Sequence, residues 1–185
     1  MEDKVEHPSL QYLHECFDLD ASKGELRWKQ RPVTHFVSKD QQKRMNSRLA
    51  GKVAGYRTKK EKRQCVTVDG KAYLSSRLVY ALHHDIPLSQ LPDLIDHKDC
   101  DTQNDRPSNL RPATHVQNNG NQKLSSNNTS GLKGATWNKR LRKWSAQIRV
   151  HGKLKHLGLF DDPAEAHAAY LAAAKRHFGE FARAA

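Results

Sequence analysis

The sequence predicts an α+β protein of two domains, and three stretches carry that prediction. From Leu94 to Asn118 a short apolar run enters a strand and a loop rich in Asp, Asn and Pro ends it at Asp96-His97; Asn109-Leu110-Arg111 then resumes a short strand. Thr114 followed three residues on by Gln117 has capping-box spacing, which starts a helix and places Asn118 in its first turns. From Lys143 to Val150 apolar and polar residues alternate strictly, the pattern of a strand with one covered face. Between these two, residues 119–131 (NGNQKLSSNNTSG) are nearly all polar or small and read as a linker. The expected division is residues 1–118, a linker at 119–131, and residues 132–185.

The first domain is expected to begin with a frayed stretch over residues 1–8. Ser9 then caps a short helix carrying Leu10, Leu13 and Phe17 at helical spacing, and Ser22 to Gly24 turn into the strand Glu25 to Trp28. Gln30 to Lys52 is basic and without clear periodicity, so it reads as a long loop or extended arm. Asp69-Gly70 between Cys65–Val68 and Lys71–Leu74 is the signature of a type I′ hairpin. Ser75 or Ser76 caps a helix from Arg77 to His84 with Leu78, Ala81 and Leu82 on one face, stopped at Asp85-Ile86-Pro87. His83 and His84 are adjacent, point apart on that helix, and read as surface or core residues.

In the second domain Gly134 to Lys139 is a first strand, and Trp144, Ala146, Ile148 and Val150 face inward while Lys143, Ser145, Gln147 and Arg149 face outward. A two-residue turn at His151-Gly152 sets Arg149 opposite Leu154 and Gln147 opposite His156. Asp162, Pro163 and Glu165 supply the N-cap, the first-turn Pro and the capping-box acid of a last helix that ends at Gly179. The result is a three-stranded antiparallel sheet packed on one helix, its other face left open. Trp144 belongs to the core; Trp137 reads equally as core or as a stacking platform.

The formal charge is +12 and the pI about 9.8, a balance that points to a polyanionic partner. It is unevenly placed: residues 23–71 hold 15 Lys and Arg against 4 Asp and Glu, and residues 123–185 hold 12 against 4. The intervening stretch is acidic on balance, so basic flanks surround an acidic centre, as suits DNA held on both sides of a cutting site. No apolar run approaches a membrane span and the N-terminus lacks a signal-peptide pattern, which together lead us to expect an intracellular, cytoplasmic protein. Cys16, Cys65 and Cys100 are widely spaced, without a CxxC pair, and are expected to be reduced thiols.

The chemistry lies in the Leu94–Asn118 stretch. Asp96 and Asn118 offer hard oxygens that suit Mg²⁺ or Mn²⁺, His97 can deprotonate a water near neutral pH, and Asn109 can hydrogen-bond around the loop to hold the imidazole oriented. The string IDHKDCDTQNDRPSNLR followed by THVQNN resembles the HNH motif of phage and intron-encoded homing endonucleases, in the form whose last metal ligand is Asn. The resemblance implies a ββα-metal fold with Asp96 and Asn118 on the metal, His97 as general base, Asn109 as orienter, and 5′-phosphate and 3′-hydroxyl products. Two positions depart from it: Cys100 stands where many relatives have Gly, and Ser76 where many have His.

The segment from Gly131 to Ala182 is similar to the DNA-binding domain of the APETALA or ethylene-response-factor type, through Lys-Trp-x-Ala-x-Ile-Arg, Leu-Gly-x-Phe and Glu-Ala-x-x-Ala-Tyr. The resemblance implies that Gln147, Arg149 and His156 approach bases and that Lys139 and Arg142 lie near phosphates, with Lys143 on the same outer face. Arg111, in the first domain, is a further candidate DNA contact. The expectation is a Mg²⁺- or Mn²⁺-dependent, sequence-biased endonuclease acting on double-stranded DNA, with no membrane and no obligate protein partner. Its rivals are a DNA-binding transcription regulator with a catalytically silent HNH fold, and an RNA-directed protein, which the deep, narrow major groove of A-form RNA disfavours.

Overall fold

The computed structural model describes residues 7–59 and 63–184; residues 1–6, part of the stretch expected to fray, lie outside the described residues. The elements run α1 (Leu10–Cys16), β1 (Phe17–Asp20), β2 (Glu25–Trp28), α2 (Lys39–Leu49), β3 (Tyr56–Arg57), β4 (Gln64–Val68), β5 (Lys71–Leu74), α3 (Ser75–His84), β6 (Leu94–His97), β7 (Leu110–Ala113), α4 (His115–Gly120), β8 (Ala135–Asn138), β9 (Lys143–Val150), β10 (Lys153–Phe160) and α5 (Pro163–Phe178). They form two compact units, Met1–Pro112 and Ala113–Ala185. The mixture of helices with small sheets is α+β.

In the first unit α3 is the centre. Leu78, Val79 and Ala81 are wholly buried and share one core with Leu13, Cys16, Leu26 and Val66, so α3 is apolar around more of its circumference than a single stripe provides. It starts two residues earlier than the serines suggest. Leu74 is the N-cap, and Ser75 and Ser76 lie buried inside the first turn. At its end Asp85 takes a left-handed conformation and Ile86 N–H donates to the Ala81 carbonyl, closing the helix. The hairpin β4–β5 turns at Asp69-Gly70, both at positive φ, which pairs Val68 with Lys71 as a type I′ turn does.

Ser9 caps α1 by accepting from Tyr12 N–H, but Phe17 leaves the helix and opens β1, where it pairs with Trp28 across the β1–β2 ladder. The expected arm over Gln30 to Lys52 is instead largely helical. Ser38 caps α2 by accepting from Gln41 N–H. The helix is anchored by polar contacts: Asn46 Nδ2 and Gln42 Nε2 both donate to the Arg31 carbonyl, and Arg31 N–H donates to Asn46 Oδ1. Arg31 itself lies between the rings of Trp28 and Phe36, 4.7 Å from each. A helix held by amides rather than an apolar stripe leaves no hydrophobic period to read.

In the second unit the sheet order is β10-β9-β8, all antiparallel, with α5 packed on it. One core cluster here is made of small residues, Ala135, Ala146 and Ala166, which let the helix come close, beside the larger buried Ile148, Val150, Tyr170 and Phe178. Gly134 shows how close: a Cβ there would stand 2.2 Å from the Tyr170 ring. Asp162 caps α5 by accepting from Ala164 N–H, Pro163 opens it, and Gly179 ends it at positive φ. Helix α4 belongs to this unit and packs on α5. Among the described residues no helix is long and apolar enough to cross a membrane.

Candidate active site

The paired strands β6 and β7 hold the loop 98–109 between them, and Asp99 is the hub of that loop. Its Oδ1 accepts from Asp101 N–H at 2.8 Å and from Asn109 Nδ2 at 2.9 Å, and its Oδ2 accepts from Asn104 Nδ2 at 2.7 Å. Burial alone raises the Asp99 carboxyl, but these donors, with the charge of His97, outweigh it and hold the group below its ordinary value. Asn109 closes the ring: its Oδ1 accepts from Asp99 N–H, and its Nδ2 also donates to the Asn104 carbonyl. An amide suits this place because it offers donor and acceptor together.

Cys100 sits in the tight turn at φ +60 and donates its N–H to the His97 carbonyl at 2.9 Å. The turn therefore forms without the Gly of relatives, at the cost of a left-handed backbone under a Cβ.

At the end of β6 two successive side chains take different partners. Asp96 is 5% exposed and its Oδ2 accepts from Arg111 Nε at 3.0 Å, across from β7. Arg111 is largely covered as well, its side chain 11% exposed, so this candidate DNA contact is turned onto a carboxylate of the protein. His97 Nε2 stands 2.8 Å from Asp105 Oδ1, a contact in which both side chains are largely buried. Sequence reasoning passed over Asp105 and Asp99. The acid-rich loop was visible, but which of its carboxylates meets the imidazole depends on how the loop closes.

Asn118 lies in α4, a helix of six residues. Thr114 and Gln117 form the reciprocal capping box at its start. At its other end Lys133 Nζ donates to the Gly120 carbonyl at 3.2 Å, one of the groups a helix terminus leaves without an intrahelical partner, and to the Gln122 carbonyl just past the helix at 2.6 Å.

Among the described residues no group of three or more His, Cys, Asp or Glu side chains is placed to hold a metal. Asp96 lies in the first unit and Asn118 in the second; each carries an oxygen donor of the kind Mg²⁺ takes, an ion that keeps several waters and is usually held by one or two side-chain oxygens.

The outer face of the C-terminal sheet carries the remaining candidates. The His151-Gly152 turn pairs Arg149 with Leu154 and Gln147 with His156. Ser145, expected to face outward in the open, is buried beneath its neighbours: its hydroxyl contacts His156 Nδ1 at 3.2 Å and accepts from Gln147 Nε2 at 3.1 Å. Arg149 is exposed and donates to the Gly152 carbonyl, while Lys143 pairs with Asp161 at 3.0 Å. Lys139 and Arg142 are exposed, Arg142 at positive φ. Trp144 packs against the alanine core, and Trp137, 41% exposed, leans on it with ring centroids 5.2 Å apart.

Residues 74–120 match the family model described as HNH endonuclease, so the chain carries an HNH endonuclease domain in that stretch. Over 59 residues the chain is 42% identical to Protein 3.8 of Escherichia phage T7; the aligned stretch is 32% of this chain and 49% of that protein, so the chain spans about half of its phage relative. No solved structure matches the chain significantly. The family match stops at residue 120 and lends no support to the ethylene-response-factor likeness of the sheet unit.

Proposed function

We propose that the protein is a metal-dependent, sequence-biased DNA endonuclease of the homing type, and the observation that carries this reading is the HNH stretch itself, whose sequence contains Asp96, His97, Asn109 and Asn118. His97 takes a proton from a water; the water oxygen forms a new bond to phosphorus, the bond to the 3′ oxygen breaks, and that oxygen takes a proton from solvent. Asp96 and Asn118 are the residues that would hold Mg²⁺ or Mn²⁺, which when bound supplies charge stabilisation on the phosphate and on the leaving oxygen. Asn109 keeps the loop closed behind His97, through its bonds to Asp99 and Asn104.

The sheet unit biases the site. Its outer face presents Gln147, Arg149 and His156, side chains able to read base edges, and a small twisted sheet can enter the major groove as in the ethylene-response-factor type of domain it resembles.

One observation favours the rival reading of a DNA-binding regulator: Asp96 is engaged by Arg111 in a buried ion pair that serves as well for structure. Incubating supercoiled DNA with the protein separates the two. Nicked or linear product with Mg²⁺, lost in excess EDTA and reduced ~10²- to 10⁴-fold by His97→Ala with DNA affinity retained, is the expected outcome. Retained binding without any conversion establishes the regulator instead.

A further inference from the structure

We propose that Asp105 is the positioning residue of the cleavage step, fixing His97 in the tautomer whose Nδ1 receives the proton, and that the β1–β2 turn at Ser22–Gly24 braces Asp105 in place. This rests on the reading of His97 as the general base.

The geometry supports both halves. Asp105 is 5% exposed and its Oδ1 lies 2.8 Å from His97 Nε2. A carboxylate accepts and does not donate, so it selects the imidazole form with its hydrogen on Nε2 and places the basic lone pair on Nδ1. A carboxylate behind a working imidazole orients the ring and settles which nitrogen does chemistry, without itself touching the substrate. The distance between the two residues along the chain is short, yet loop closure alone does not hold Asp105. The backbone of the β1–β2 turn is wedged against it: a Cβ on Gly24 would come within 2.3 Å of the Asp105 carbonyl carbon and 2.4 Å of Arg106 N. Gly24 also has φ +69, so position 24 is restricted to glycine by space and by backbone alike. From the loop side Arg106 Nε donates to the Ser22 carbonyl at 2.7 Å, tying the two turns together. Pro107 is buried in the short helical turn that follows, and Asn109 N–H donates to the Arg106 carbonyl at 2.8 Å, which limits movement from the other end.

The test uses the full chain, with Mg²⁺ and a DNA duplex as substrate for single-turnover cleavage. It adds nitrogen NMR of the His97 ring in the metal-free protein at a pH where the ring is neutral. Wild type is expected to carry its ring hydrogen on Nε2. Asp105→Ala is expected to lose that preference and to cleave ~10- to 100-fold more slowly, with duplex affinity unchanged. Gly24→Ala, about 80 residues away in sequence, should shift both readouts the same way. Should either variant fail to fold, the wild-type tautomer still decides. A hydrogen on Nδ1 in wild type overturns the proposal, as does an Asp105→Ala protein that cleaves at the wild-type rate while His97→Ala does not. If His97→Ala itself cleaves like wild type, the general-base reading falls and takes this proposal with it.

Discussion

Gly120 lies against the ring of Phe178 with no space between for a side chain; a Cβ there would stand 2.5 Å from the Phe178 Cγ. The helix that carries Asn118 thus ends on the helix that covers the C-terminal sheet, and Lys133 holds its last carbonyl, that of Gly120. Arg183 N–H donates to the same Gly120 carbonyl at 3.3 Å. Six residues are too few for a helix to stand alone in water, so α4 depends on these contacts.

Gly120→Ala should therefore destabilise the protein by about 1 to 3 kcal/mol through overpacking. Deleting residues after 123 should abolish metal-dependent cleavage along with any site preference, because Lys133 and Phe178 go with the deleted segment. Urea denaturation checks the first and plasmid cleavage the second. A truncated protein that still cuts with Mg²⁺ would show that α4 stands without this support.

Cys100→Gly is expected to stabilise the fold by about 0.5 to 1 kcal/mol. Relief of the left-handed backbone at φ +60 gains more than the added freedom of glycine in the unfolded chain costs. The backbone N–H that Cys100 donates to the His97 carbonyl is kept by glycine. An unfolding midpoint that falls in the variant would mean that contacts of the Cys100 side chain outweigh the backbone cost.

Stability should decline in alkali. Burial pushes the Cys16 thiol up to about 11 from its ordinary 9.0, and burial with the hydrogen bond to Asp69 raises Tyr12 from 10.0. Both groups hold their protons more tightly when folded, so their contribution is full below pH 9 and is lost as pH rises through the folded values. Melting temperature measured from pH 8 to 11 should fall, and Cys16→Ala with Tyr12→Phe should flatten the slope. The same burial predicts that Cys16 reacts slowly with a thiol reagent at neutral pH.

Two kinds of DNA contact should separate by their salt dependence. Arg149→Ala should cost about 1 to 3 kcal/mol at one base pair if its contact is bidentate. Lys43→Ala or Arg44→Ala, on the exposed side of α2, should weaken all sequences alike and reduce the salt slope by about one. Selection from a randomised duplex library at two salt concentrations checks both. Unchanged preference after Arg149→Ala would move specificity away from the sheet.

What the sequence by itself determined is what acts over a few residues. The Asp69-Gly70 and His151-Gly152 turns, the Thr114–Gln117 capping box, the Asp162-Pro163 helix start and the alternation of β9 all specify their elements through turn, cap and period chemistry. Asp96, His97, Asn109 and Asn118 are candidates on sequence alone because a motif is a local pattern. Tertiary structure alone decided the partners. It folded a polar stretch into α2 on the amides of Asn46 and Gln42, turned Arg111 onto Asp96, and buried Ser145 beneath Gln147 and His156. It also chose Asp105 for His97 among the loop's carboxylates, with Gly24 behind it. Each of these pairs is set by how strands and loops close in space, and neither periodicity nor residue type carries that information along the chain.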